Sequence, residues 1–395
     1  MVSNAMRQLG RHRSVIREIF EYGNQRKAQI GAENVFDFSL GNPNVPAPQV
    51  VTDTLQKLIS ETPAEELHAY TSAAGDPQVR EAIAQYIRDT FGFQARANDL
   101  YMTAGAAASL TITLTALAEE GDEVIALAPY FPEYKVFAET AGAKFVVVNS
   151  AEGTFQLDAA ALEGAITPHT KAVIINSPNN PTGVIYSRQE LEKLAEVLNA
   201  AEDRYGRPIF VVADEPYRCL NFDGVEIPSL LSIFRHSVVI GSFSKSLSLA
   251  GERIGFIAVR PDMEGGETLM NALILCNRIL GFVNAPALAQ QILMSCLDEE
   301  IDLDIYRRRR QAMADVLDAA GIEYQMPKGA FYFFPKVPVA DEAKFFEAMT
   351  SECVLVVPGK SFGLAGHFRM TFCVDEDIIR RSGPGIARAV AKVRN

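Results

Sequence analysis

Between Thr103 and Val259, short and nearly all-apolar runs alternate with stretches of helical texture: VIAL from residue 124, FVVV from 145, AVIIN from 172, IFVVA from 209, SVVIG from 237 and IGFIAV from 254. A strand apolar on both faces must be covered on both, and strands separated by helices connect in parallel. The pattern therefore predicts an α/β core in which a mainly parallel sheet lies between helical layers. A helix start stands out within it: Ser187 followed by Glu190 reads as a capping box, opening a helix with a Leu191, Leu194, Ala195, Leu198 stripe that belongs to the core.

After Asn284 the texture changes to long helices through Arg310. AFYFFP then begins at 330, a helix near 342, VLVVPG at 354, HFRMTFC at 367 and a final helix after that. Few strands among flanking helices predict a smaller α+β domain. The first forty or so residues read as one more helix and the segment VFDFSLGNP, joined to that smaller domain. The expected division is an N-terminal segment over 1–48, a large domain over 49–283 and a small domain over 284–395.

Charge and composition narrow the function. The 49 acidic residues outnumber the 37 basic ones, for a net charge of -12, which opposes a polyanionic surface and argues against nucleic-acid binding. The apolar stretch from Leu269 to Met294 is broken by Asn271, Asn277, Arg278, Asn284 and Pro286, so it reads as packed helices rather than a membrane span. The opening MVSNAMRQLGRHR has no apolar run of the secretory kind, and the expected location is the cytoplasm. Five cysteines, at 219, 276, 296, 353 and 373, form no Cys-x-x-Cys pair. They read as buried thiols, with neither a zinc signature nor a disulfide framework.

The residues that carry chemistry follow the strands. Lys245 comes directly after SVVIG, in Ser242-Phe-Ser-Lys-Ser-Leu-Ser-Leu-Ala-Gly-Glu-Arg253. The end of a parallel strand is where open sheets bind ligands. A neutral lysine amine can form an imine with an aldehyde, while Ser242, Ser244 and Arg253 are phosphate ligands by chemistry. Read alone, the cluster is equally a loop with a solvated lysine and a surface arginine.

Asp214 and Tyr217 follow IFVVA, and could pair with a protonated heterocyclic nitrogen and donate to a phenolate-like oxygen. They also fit an ordinary strand-end carboxylate and a partly buried tyrosine. Asn180, in the turn Ser177-Pro-Asn-Asn-Pro-Thr-Gly183, could reach the same oxygen, though such a turn is most often only a turn. Small residues at Gly105, Ala106 and Ala107 open an apolar helix whose free N–H groups suit a phosphate, or simply permit close packing. Phe131, in Pro129-Tyr-Phe-Pro-Glu-Tyr134, offers an aromatic face or a core plug.

In their order along the chain, Gly-Ala-Ala, Pro-x-Phe-Pro, Asn-Pro-Thr-Gly, Asp-x-x-Tyr, Ser-x-Ser-Lys with arginine eight residues on, and a late strand arginine, these motifs resemble the class I/II aminotransferases. Those are aspartate aminotransferase-like enzymes of fold type I that use pyridoxal 5′-phosphate. The resemblance covers essentially the whole chain. It implies a large domain with a mainly parallel seven-stranded sheet between helices and a smaller α+β domain. Lys245 would carry the cofactor as a Schiff base, Asp214 would meet the pyridine nitrogen, and Tyr217 and Asn180 the phenolic oxygen. Ser242, Ser244, Arg253 and the Gly105-Ala106-Ala107 turn would hold the phosphate, with Phe131 stacked on the ring. Tyr70 resembles a tyrosine that reaches the neighbouring subunit's cofactor in a homodimer with shared active sites. Arg369 resembles the clamp for a substrate α-carboxylate, and Gly41 lines the substrate side.

Two positions depart from the family pattern. Phe131 stands where relatives often have tryptophan or tyrosine, and Tyr134 where some have histidine, which leaves the tuning of Asp214 open. The histidines at 12, 68, 169, 236 and 367 fall in no catalytic motif. The expected activity is transfer of an amino group between an L-amino acid and a 2-oxo acid by a ping-pong mechanism; a C–S β-lyase on the same fold is the alternative. A nonenzymatic sensor would need a basic DNA-binding module, and a dinucleotide dehydrogenase a Gly-x-Gly-x-x-Gly turn, neither of which the sequence offers. The substrate side chain stays open among aspartate, aromatic and neutral types. For an acidic one, Arg278, Arg11, Arg13 and Arg17 are candidate second cations.

Overall fold

A computed structural model of the chain describes residues 2, 6, 7, 10 and 14–394. The helix Val15–Ile30 leads to the two-residue strand β1 (Phe36–Asp37). The central sheet is built from β2 (Leu100–Thr103), β3 (Glu123–Ala128), β4 (Lys144–Asn149), β5 (Thr170–Asn176), β6 (Phe210–Asp214), β7 (Ser237–Ser242) and β8 (Gly255–Val259). Their spatial order is β2-β8-β7-β6-β5-β3-β4. Only β8 runs antiparallel to its neighbours, so the sheet is mainly parallel, as the apolar runs predict.

Each of the six runs becomes a strand, and two details differ from the sequence reading. β2 is the seventh strand that the family resemblance implies but no apolar run announces: LYMT is too short, and too poor in branched residues, to declare itself, yet it is buried along its whole length against β8. FVVV forms β4 at the opposite edge, where only one neighbour covers it, so Val147 is 43% exposed despite its apolar context.

Alternation along the inner strands divides the core by face. Ile125, Val173, Val211 and Val239 pack toward Leu191, Leu194 and Leu198 of the helix Arg188–Tyr205. Val124, Ile174, Val212 and Ile240 pack toward the helix Ala106–Leu117 on the other side. This is the period-2 geometry of a strand buried on both faces. The start of Arg188–Tyr205 is half of the expected capping box. Ser187 Oγ accepts from the Glu190 N–H at 3.3 Å, but the Glu190 carboxylate pairs with Lys193 and the Ser187 N–H goes to Gln156.

The remaining strands are short. β1 lies parallel to β10 (Val354–Leu355), pairing Phe36 with Val354. β12 (Phe368–Thr371) runs antiparallel between β9 (Tyr332–Phe333) and β11 (Val357–Pro358). Phe368, Met370 and Phe372 point into a third core with Phe331, Phe333 and Phe345, which leaves the alternate residue, Arg369, on the opposite side.

The stretch from Leu269 to Met294 folds as the helices Gly266–Ile279 and Ala287–Leu293, and no described helix is long and apolar enough to cross a membrane. All five cysteines are free thiols, with Cys276, Cys296 and Cys373 buried and Cys219 and Cys353 only half-buried.

β8 passes so close to β7 and to the turn before Ala106 that only glycine fits at its first position. A Cβ on Gly255 would lie 2.7 Å from the Gly241 carbonyl oxygen and 3.1 Å from Gly105 Cα, both backbone atoms. Gly255→Ala should therefore cost about 1–3 kcal/mol through overpacking. Gly251→Ala, where a Cβ would meet nothing within 4 Å, should stay within about 0.5 kcal/mol. Urea unfolding of the two variants checks the contrast, and equal stabilities would contradict it.

Candidate active site

The carboxyl ends of β5, β6 and β7 set Asn176, Asp214 and Ser242 along one edge of the sheet; Asn176 and Asp214 are register partners. Adjacent parallel strands ending at the same edge create a crevice that loops and a second layer can roof over. Here the roof is the segment around Gly41 together with β9 and β12, and the cleft enclosed holds about 270 Å³.

Lys245 projects from the single helical turn Phe243–Ser246, directly after β7. Its Nζ donates to the Gly41 carbonyl at 2.9 Å and lies 5.2 Å from the Phe331 ring centre. Burial, with the Arg253 and Arg369 charges acting in the same direction, pulls the ammonium down to about 8. Near neutral pH a usable fraction is the free amine, the form that attacks carbonyl carbon and accepts protons.

At one end of the cleft are groups suited to a phosphate. Ser242 Oγ donates to Ser244 Oγ at 2.9 Å and accepts from the Ser244 N–H at 3.2 Å. Arg253 sits in the left-handed backbone region at φ 54, its Nη1 donating to the Ala250 carbonyl. Gly105, at φ 86, precedes the helix Ala106–Leu117, and a Cβ there would come within 2.8 Å of Arg253 Nη2. No described side chain caps that helix, its first N–H groups have no intrahelical partner, and Ala106 and Ala107 line the cleft.

Asp214 lies deeper. Tyr134 donates to its Oδ2 at 2.5 Å, while Oδ1 is buried with no partner. Burial raises the carboxyl to about 7, the Tyr134 bond opposes the rise, and the Glu215 charge adds to it. A raised carboxyl pKa means the protonated form suits the fold, so its contribution to stability is lost as pH rises through about 7. A cationic N–H donor at Oδ1 would reverse that and hold the carboxylate. Tyr134 thus takes the supporting position that its place in the sequence left open.

Asn176 and Tyr332 are two cleft residues that the sequence reading did not assign. Asn176 donates to the Asp214 carbonyl at 2.8 Å and accepts from the Asn180 N–H at 2.7 Å, fixing the turn that carries Asn180. A polar residue closing an otherwise apolar strand was its legible signal. Tyr332 lies hidden inside an aromatic run, and its hydroxyl is 3.0 Å from that of Tyr217. Phe131 reaches the cleft and packs nearly perpendicular to Tyr134, ring centres 5.5 Å apart.

Arg369 is 2% exposed. It donates to Asn180 Oδ1 at 3.0 Å and to the Ser39 carbonyl, and its guanidinium lies 4.6 Å from the Tyr332 ring and 4.8 Å from Phe362. Its Nε has no partner, and no carboxylate pairs with it among the described residues. Burial lowers its pKa. A desolvated cation without a counter-ion is costly, and an incoming carboxylate would complete it.

Of the expected site residues, Tyr70 does not line this chain's cleft and is 91% exposed. Arg17 and Arg278 are exposed and do not line the cleft, and Arg11 and Arg13 lie outside the described residues. Among the histidines, His236 binds Glu202, His367 stacks on Phe334, and neither His68 nor His169 lines the cleft. His12 is outside the described residues.

The cleft fits pyridoxal 5′-phosphate on three counts: an orphaned carboxylate oxygen for the ring nitrogen, a glycine-opened phosphate cradle, and a lysine whose amine is partly neutral. Comparisons with known proteins agree. The family model for aminotransferase class I and II matches residues 33–381. A crystal structure of an aminotransferase from Eubacterium rectale superposes with a TM-score of 0.96 at 44% identity, covering 100% of both chains. The aspartate aminotransferase of Thermus thermophilus with maleate superposes with a TM-score of 0.87 at 26% identity, over 98% of this chain and 100% of that one. A probable N-acetyl-LL-diaminopimelate aminotransferase of Bacillus subtilis is 29% identical over 92% of this chain and 91% of its own. Fold, cleft and sequence kinship converge: the chain belongs to the class I and II aminotransferases, enzymes that depend on pyridoxal 5′-phosphate.

Proposed function

We propose that this aminotransferase passes an amino group from an L-amino acid to a 2-oxo acid in the cleft around Lys245, using the residues in the roles the family resemblance implies. The observation that carries the reading is the set of unfulfilled polar groups in one place: a partly neutral lysine and, among the described residues, a carboxylate oxygen without a donor and a buried guanidinium without an anion. When bound, the cofactor supplies an aldehyde carbon and a ring able to take up the electron pair released at the substrate α-carbon. The chain's own residues do the rest.

Asp214, steadied by Tyr134, holds the ring nitrogen protonated. Ser242, Ser244, Arg253 and the Gly105-Ala106-Ala107 turn anchor the phosphate, Phe131 covers the ring, and Tyr217 and Asn180 donate to the phenolic oxygen. Arg369 grips the substrate carboxylate while Gly41 leaves room beside it. A fixed carboxylate decides which α-bond stands perpendicular to the conjugated plane, and this selects proton removal over decarboxylation. Lys245, once free, accepts the α-proton and delivers it to the cofactor carbon that receives the amino group. Residues 49–283 would form the cofactor-binding domain, with 284–395 and the segment 1–48 as the smaller one. No observation favours β-elimination over transamination.

We also assign a homodimer with shared sites. Tyr70 is exposed in a single chain, and Asn284 donates to the Thr71 and Ser72 carbonyls, tying that segment to exposed Phe282 and Val283. An apolar surface of this kind is what a partner subunit covers.

Loaded with pyridoxal 5′-phosphate, the protein should show a visible band that borohydride fixes to the peptide carrying Lys245. Lys245→Ala should lose that labelling and at least about 10²–10⁴-fold in turnover. Full turnover in the alanine variant would disprove the assignment.

Arg369→Leu should keep cofactor affinity, because the phosphate anchors lie on the sheet side of the cleft. It should lose about 2–5 kcal/mol in kcat/KM for an amino acid, roughly 30- to several-thousand-fold, and far less for the decarboxylated amine. Single-turnover rates with both donors check this; equal losses would assign Arg369 to the fold or the cofactor instead.

For the dimer, mixing inactive Tyr70→Phe and Lys245→Ala proteins should restore part of the activity through hybrids with one intact site. A fully active monomer in sedimentation would refute shared sites.

A further inference from the structure

We infer that Tyr332 is a positioning residue that sets how strongly Tyr217 donates its proton to the cofactor's phenolic oxygen. This rests on the reading of Tyr217 given above. Tyr332 is 2% exposed, in β9, where it pairs with Thr371 of β12. Its hydroxyl meets the Tyr217 hydroxyl at 3.0 Å, a contact in which either oxygen can be the donor.

Proton counting decides the direction. A tyrosine hydroxyl has one hydrogen to give and lone pairs to accept with. If the Tyr217 hydrogen goes to the phenolic oxygen, Tyr217 can only accept from Tyr332, so the order is Tyr332 to Tyr217 to cofactor. Neither hydroxyl loses its proton in working pH: burial pushes Tyr332 up to about 12 and Tyr217 well above its ordinary value. Accepting a hydrogen bond polarises the Tyr217 O–H and makes it a better donor, an effect strengthened where water is excluded.

The surroundings hold Tyr332 in this geometry. A Cβ on Gly41 would fall 1.9 Å from the Tyr332 hydroxyl, so the Gly41 segment closes one side of it. The Arg369 guanidinium lies over the ring at 4.6 Å. Ring and hydroxyl therefore have separable duties: the ring supports Arg369, and the hydroxyl acts on Tyr217. Tyr332→Phe removes only the second.

A stronger donor at the phenolic oxygen favours its negative form and lowers the pH at which the visible band of the lysine-bound cofactor titrates. The experiment compares the band midpoint in wild type, Tyr217→Phe, Tyr332→Phe and the double variant, all as holoenzyme. Tyr217→Phe should raise the midpoint most. Tyr332→Phe should raise it by about a tenth to a third of the Tyr217→Phe shift, since polarisation strengthens a bond by about that fraction. In the double variant the Tyr332 change should add nothing, because it acts only through Tyr217. KM for the amino donor should stay within about twofold while kcat falls, as expected when the carboxylate clamp is left intact.

A wild-type midpoint in Tyr332→Phe would overturn the inference. So would a Tyr332 shift that persists in full without the Tyr217 hydroxyl, or a large rise in KM alone. If Tyr217→Phe itself leaves the midpoint unmoved, the underlying reading of Tyr217 fails and this inference fails with it.

Discussion

Removing ionisable groups from water is the constraint around which this cleft is organised. Lys245, Asp214 and Arg369 converge on one small volume, and each is shifted toward its neutral form by burial. Among the described residues none is neutralised by a direct ion pair. A protein can keep such groups desolvated only if a rigid frame holds them, since relaxation toward water or toward one another would relieve the cost. The frame is the sheet: β5, β6 and β7 are buried along nearly their whole length and end side by side. The ligand's charges then replace solvent that the fold has already removed, which is how a preorganised site gains its effect.

The frame supplies only half of the groups. Arg369 and Tyr332 come from the neighbouring strands β12 and β9, and Gly41 from a segment near the other end of the chain. Cross-links between these sources are specific: Arg369 to Asn180, Tyr332 to Tyr217, Lys245 to Gly41. Each joins a residue of the sheet's loops to one of the opposing layer. The cleft is thus an interface whose two walls share hydrogen bonds, and movement of one wall would change the partners available on the other.

Much of this was legible in the sequence, for physical reasons that differ from residue to residue. Strands buried on both faces announce themselves as apolar runs, and all but one of the central strands were found that way. LYMT escaped because a short edge strand needs neither length nor branching when its neighbour supplies the partner. The motif residues were readable because reactive groups stand directly after strands, a position that chain order reveals. Tyr332 was not, since in AFYFFP one phenol among phenylalanines looks like core, and only the fold shows its hydroxyl turned to Tyr217. Tyr70 shows the opposite limit: the motif singles it out, but a single chain leaves its ring in solvent.

The parallel pairing of β1 with β10, which joins Phe36 to Val354, bears on the order in which the molecule is completed during synthesis. The central sheet can close once β8 has emerged, since its partners all precede it in the chain. The Phe36 segment must wait for residues more than three hundred positions later, and closing so long a loop comes late in folding. Gly41 follows that strand and Arg369 follows its partner, so the second wall of the cleft arrives last. A nascent chain therefore carries a finished sheet with an open edge of strand-end polar groups, still hydrated, and it desolvates them only when nearly the whole polypeptide is available to enclose them.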